Sequence, residues 1–116
     1  MFKIKEVVMK ALMLCLLLLT SISTNAEVAS WYNLDGRKTA SGEVFRTHSL
    51  TCASNTHKLG TYLKVTNTAN DKSVVCKVND RGGFSRLGRT LDLSYGAFSK
   101  ISSPSKGLIK VSIKKL

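Results

Sequence analysis

Residues 61–67 alternate strictly. Tyr62, Lys64 and Thr66 are interleaved with Leu63 and Val65, as expected for a strand with one buried and one solvated face. Residues 73–78 are more densely apolar and predict a more enclosed strand. Four further short runs of β-forming residues, 28–32, 49–53, 90–93 and 108–113, complete a set of six strands, the fourth of which covers 73–79. Turn formers separate them, notably Asn33-Leu34-Asp35-Gly36, Asn70-Asp71 and Gly82-Gly83. So many short strands in so short a chain favour a small closed barrel over a sandwich, because closure removes the exposed edges. One short helix is predicted over 94–101, with Ser94 as its N-cap, Gly96 weakening it and Pro104 beyond its end. The predicted class is all-β with one helix.

The first 26 residues follow a different rule. Lys3, Lys5 and Lys10 precede an unbroken apolar run from Ala11 to Leu19, and small and polar residues follow up to Ala26. This is the pattern of a cleaved secretory signal peptide over 1–26, leaving one domain over 27–116. The apolar run is shorter than the ~20 residues a spanning helix needs, so no membrane anchor is expected after cleavage. Cys15 lies inside the run, after Leu14, and is not placed as a lipidated cysteine.

Export changes how charge and cysteine content are read. The chain of 116 residues carries a formal charge of +11; removing three lysines and one glutamate with the signal segment leaves +9. Outside the cytosol such a balance points to anionic envelope polymers rather than to nucleic acid. Cys52 and Cys76 remain, an even count that reads as a disulfide in an oxidising compartment, with two buried free thiols as the alternative. His48 and His57 have no metal-ligand spacing relative to these cysteines, so neither metal nor cofactor is expected.

The most informative stretch is 78–93, where two strand-like runs flank a glycine-rich turn and each carries one carboxylate, Asp80 or Asp92. A barrel rim would bring the two to one site. Arg81, Arg86 and Arg89 surround them, which fits either a structural ion-pair cluster or a tuned pair of acids.

Several motifs in order, Ala29-Ser30-Trp31-Tyr32, Ser41-Gly42-Glu43, Val78-Asn79-Asp80-Arg81-Gly82 and Leu91-Asp92-Leu93-Ser94, make the chain similar to the rare lipoprotein A (RlpA) family over nearly all of 27–116. The resemblance implies a six-stranded double-psi β-barrel and an exported, periplasmic, envelope or secreted lytic transglycosylase that cuts peptidoglycan glycan strands. It implies catalytic roles for Glu43, Asp80 and Asp92. Asp80 would be the acid and base, and the other two would orient it or stabilise the positive charge that develops on the sugar. Trp31, Tyr32 and Tyr62 are expected to stack on sugar rings, with core or rim packing as the alternative reading. Arg81 and Ser54 are expected to line the substrate site; Ser54 stands where the family typically has a histidine. That replacement favours a second reading, a non-catalytic, expansin-like polysaccharide-binding module, while the three retained acids favour the enzyme. A third reading, an inhibitor on a related barrel, is disfavoured by having only two cysteines after processing.

Overall fold

The computed structural model describes residues 27–83 and 88–116; the expected signal segment and Arg86 lie outside them. The described strands are β1 (Glu27–Tyr32), β2 (Thr51–Ala53), β3 (Tyr62–Asn67), β4 (Ser73–Asp80), β5 (Leu91–Ser94) and β6 (Ile109–Lys115). They close into one barrel in the order β1-β5-β2-β4-β3-β6, with β6 pairing back onto β1. β1 and β5 run parallel, as do β2 and β4; the other neighbours are antiparallel. The single described α-helix, α1 (Tyr95–Ile101), follows β5 directly, and a 3-10 turn at Pro104–Lys106 leads into β6.

The period-two pattern decides which side chains fill the barrel. Leu63 and Val65 of β3 face Cys76 and Val74 of β4, and all four are buried. β4 is less enclosed than its apolar content suggests. It alternates like β3, and Val75 is exposed on the outer face opposite Lys64. The reason is closure: a barrel of this size has one interior, so β3 and most of β4 turn every second residue toward it, whereas all four residues of β5 are buried. Strand β2 begins at Thr51 rather than 49, because Ser49 is already in a turn whose carbonyl accepts from the Ser94 hydroxyl and the Thr51 amide. Strand β6 runs on to Lys115, drawn out by pairing with β3 as far as Leu63.

Helix α1 closes one end of the barrel by adding Ala97, Phe98 and Ile101 to the core. Ser94 is its N-cap, accepting from the Ala97 amide at 3.1 Å. Gly96 serves a purpose beyond helix propensity. Its amide donates to the Thr47 carbonyl at 2.8 Å, and a Cβ at this position would lie 2.7 Å from the His48 Cα. Cys52 and Cys76 form a disulfide across the parallel pair β2 and β4, with Cα atoms 5.8 Å apart and both residues fully buried.

Two stability measurements follow. Gly96→Ala improves helix propensity by up to about 1 kcal/mol, yet overpacking against backbone costs about 1–3 kcal/mol, so a net loss is expected in urea unfolding. Replacing both Cys52 and Cys76 by Ala is expected to lower stability by about 3 kcal/mol or more, read as a fall in thermal midpoint that reduction of the native chain reproduces.

Candidate active site

The site lies on the outer face of β1, β5, β2 and β4, and strand register builds it. Ser30 of β1 is opposite Asp92 of β5; Asp92 is opposite Ala53 of β2; Ala53 is opposite Asp80 of β4. The last pairing depends on a β-bulge. Cys52 pairs with Val78, but the next residue, Ala53, pairs with Asp80, so Asn79 is an extra residue on β4. Without it Asn79 would be opposite Ala53 and Asp80 would turn to the other face. Asp80 and Asp92 therefore stand two strand spacings apart, roughly 10 Å between backbones.

The two aspartates are held differently. Asp80 Oδ1 accepts from the amides of Ala40 at 3.0 Å and Arg81 at 2.9 Å, and its Oδ2 accepts from the Tyr32 hydroxyl at 2.9 Å. Both of its oxygens are engaged. Asp92 Oδ1 accepts from the Ser30 hydroxyl and lies 3.8 Å from Arg89 Nη1, which itself donates to Ser30 Oγ at 3.1 Å. Among the described residues no donor reaches Asp92 Oδ2, although the residue is only 9% exposed. Tyr32 feels the charge of both. Burial pushes its phenol far above its ordinary value, and the hydrogen bond to Asp80 and the negative charges of Asp80 and Asp92 add to the shift.

Glu43 comes from the loop that runs along β4. Its carboxylate lies 3.1 Å from Lys77 Nζ and accepts from Ser41 Oγ at 3.2 Å. The same loop donates the Ala40 amide to Asp80, so Glu43 borders the Asp80 end of the row.

The remaining expected residues fall in different places. Tyr62 is 53% exposed and pairs with Lys77, which puts its ring on the Glu43 side. Trp31 is not brought to the aspartates. Its Nε1 donates to the Pro104 carbonyl at 2.9 Å and its ring meets Tyr95 edge-on at 5.2 Å, packed against the core. Strand alternation sends Tyr32, its neighbour, to the opposite face, where the Tyr32 ring packs on Phe45. Ser54 is 0% exposed; its hydroxyl accepts from the amides of Thr56 and His57, so it shapes a turn and has no free surface. The Arg81 guanidinium donates to the carbonyls of Ser54 and His57, the latter at 2.6 Å, fixing the same turn. Ser30 was missed as a site residue, although it sits inside a recognised motif, because a hydroxyl's partner across strands is invisible in one sequence. Among the described residues no three His, Cys, Asp or Glu side chains are grouped to hold a metal ion.

The closed six-stranded barrel is a double-psi β-barrel, a fold it shares with solved structures. A Streptomyces papain inhibitor superposes with a TM-score of 0.65 at 20% identity, covering 79% of this chain and 93% of that one. An apo expansin from Clavibacter michiganensis superposes at 0.62 and 25% identity, covering 78% and 48%. A family model described as "Lytic transglycolase" matches residues 24–113. The endolytic peptidoglycan transglycosylase RlpA of Vibrio cholerae is 45% identical over 92 residues, 78% of this chain and 35% of that protein. The chain belongs to the RlpA family. It spans between about a quarter and a half of the length of the curated relatives it matches.

The Tyr32 environment has a consequence at high pH. The fold holds the phenol neutral, whereas the unfolded chain ionises it near its ordinary value of 10.0. Its contribution is complete below that value and is lost progressively as the pH rises above it, since unfolding then releases a proton. Tyr32→Phe is expected to flatten the alkaline fall in urea midpoint above about pH 10, with other tyrosines and the lysines cancelling in the comparison.

Proposed function

We propose that residues 27–116 are the catalytic barrel of an exported lytic transglycosylase that cleaves peptidoglycan glycan strands in the cell envelope and leaves 1,6-anhydromuramic ends. Membership of the RlpA family and the activity in the name of its Vibrio cholerae relative support the reaction class. The observation that carries the reading is the row Asp92–Ala53–Asp80 across three adjacent strands, with Tyr32 donating to Asp80 and within the field of Asp92.

This reaction needs one carboxyl group acting twice. The carboxyl donates a proton to the glycosidic oxygen as the bond from that oxygen to the anomeric carbon breaks. The muramic C6 hydroxyl then attacks the anomeric carbon, and the same carboxylate takes the hydroxyl proton. Attack from within the same sugar has a high effective concentration and needs no positioned water. In this reading Asp92 takes the acid and base role that the family resemblance implies for Asp80, and the hydrogen-bond pattern supports the exchange. Asp92 keeps an oxygen without a protein donor, and Arg89 stands ready to stabilise the carboxylate formed after the first transfer. Asp80, fixed by three donors, is suited to remain an acceptor and to stabilise positive charge on the sugar. Glu43, anchored by Lys77, borders the substrate on the Asp80 side.

A binding module without chemistry is the second reading, favoured by Ser54, which is buried where the family typically carries histidine. The discriminating assay digests purified peptidoglycan and identifies soluble products by mass. Anhydro-ended fragments are expected from the native chain, and Asp92→Asn is expected to slow their release by about 10²–10⁴-fold. Unchanged release from a folded Asp92→Asn protein rules out its assigned role. Sedimentation with the wall without any product supports the binding module instead.

A further inference from the structure

Strand β1 gives one hydroxyl to each aspartate. Ser30 and Tyr32 are two residues apart and so share a face of the strand; the Tyr32 hydroxyl donates to Asp80 Oδ2 at 2.9 Å, and the Ser30 hydroxyl donates to Asp92 Oδ1. The parallel register sets Ser30 opposite Asp92, and the pair is nearly closed to solvent, at 3% and 9% exposure. A serine hydroxyl has a single hydrogen and is ordinarily able to turn it toward any acceptor. Arg89 removes that freedom. Its Nη1 donates to Ser30 Oγ at 3.1 Å while lying 3.8 Å from Asp92 Oδ1. A guanidinium stays protonated and offers donors only, so the Ser30 hydrogen has to point away from it, toward Asp92 Oδ1.

This fixes where a proton on Asp92 can sit. Were Oδ1 to carry it, both Arg89 and the carboxyl group would donate to Ser30 Oγ, and the serine's own hydrogen would lose its acceptor in a nearly closed site, which is costly. A proton on Oδ2 leaves all of these bonds intact. We propose that Ser30, locked by Arg89, is a positioning residue that confines the transferable proton of Asp92 to Oδ2. The assignment rests on the reading of Asp92 as the acid and base. Both transfers then pass through one atom. The Oδ2–H bond breaks as the proton moves to the glycosidic oxygen, which keeps the electron pair of its broken bond to the anomeric carbon. The C6 oxygen then bonds to that carbon, and its proton returns to Oδ2. Ser30 stays bonded to Oδ1 throughout, and its hydrogen stabilises the carboxylate between the two transfers. Without the hydroxyl, the proton is free to occupy either oxygen and Arg89 is near enough to close directly onto Oδ1, so the fraction of Asp92 poised to react falls.

The test measures initial rates of anhydro-ended fragment release from purified peptidoglycan, over a range of substrate concentrations, for the native chain, Ser30→Ala, Ser30→Thr, Asp92→Asn and the double variant S30A/D92N, each first shown to be folded by its thermal midpoint. Ser30→Ala is expected to lower kcat about 10–100-fold, the worth of a hydrogen bond to a charged group, with KM little changed. Ser30→Thr keeps the hydroxyl and is expected to recover most of kcat. In the Asp92→Asn background, Ser30→Ala is expected to add almost nothing, because a residue that acts through Asp92 has nothing left to position. Should Ser30→Ala not fold, Ser30→Cys, close in size and a weak donor, is read in its place. Undiminished kcat in the folded Ser30 variant, an equal loss in Ser30→Thr, or the full loss repeated in the Asp92→Asn background overturns the Ser30 assignment and leaves Asp92 in its role. Undiminished release by folded Asp92→Asn, or no anhydro product from the native chain, overturns the underlying reading and this assignment with it.

Discussion

The site depends on one extra residue in one strand. Asn79 bulges from β4 between the Cys52–Val78 and Ala53–Asp80 pairings, and that single offset brings Asp80 to the outer face in line with Asp92. Bulges re-aim side chains at the cost of a local break in the ladder. Here the break is compensated on both sides: the Ser54 amide donates to the Asp80 carbonyl, and the Ser41 amide donates to the Asn79 carbonyl. The disulfide anchors the same two strands just below the bulge, with Cys52 immediately before Ala53 and Cys76 two residues before Val78. The covalent link thus joins two of the three strands that carry the acidic row.

Charge is distributed on the barrel in a way that net charge alone does not reveal. The acids collect on the outside of β1, β5, β2 and β4, while the lysines collect on the outside of β6, β3 and β4, and β4 belongs to both faces. Lys77 and Asp80 share that strand, and the loop carrying Ala40 and Glu43 touches each of them. Among the described residues, the two arginines that meet the acids act differently. Arg89 faces the Ser30–Asp92 pair, whereas Arg81 gives its amide to Asp80 and its guanidinium to the turn at Ser54 and His57.

The strands and the helix were legible in the sequence because the signals that define them are local. Alternation, turn residues and the Ser94 cap placed all six strands and α1, with differences confined mainly to a residue or two at the ends. The density of Val74, Val75 and Cys76 predicts a more enclosed strand than β4 is, because closure leaves Val75 on the outer face. Gly96 was read as a flaw in the helix; its reason is the His48 backbone against which it packs. Among the site residues, Asp80, Asp92 and Glu43 stood out by motif, and Tyr32 was singled out for its ring rather than for the hydroxyl that Asp80 accepts from.

By itself the sequence determined the class of fold, the order of its elements, the cysteine pair available for bridging and the acids available for chemistry, because each of these is carried by residue type and short-range spacing. Only the tertiary structure decided which groups meet. Trp31 and Tyr32 are neighbours in the chain and lie on opposite faces, while Ser30 and Asp92 are 62 positions apart and share a hydrogen bond. Closure, register and a single bulge set those contacts, and all three are properties of strands pairing across long stretches of chain rather than of any local pattern.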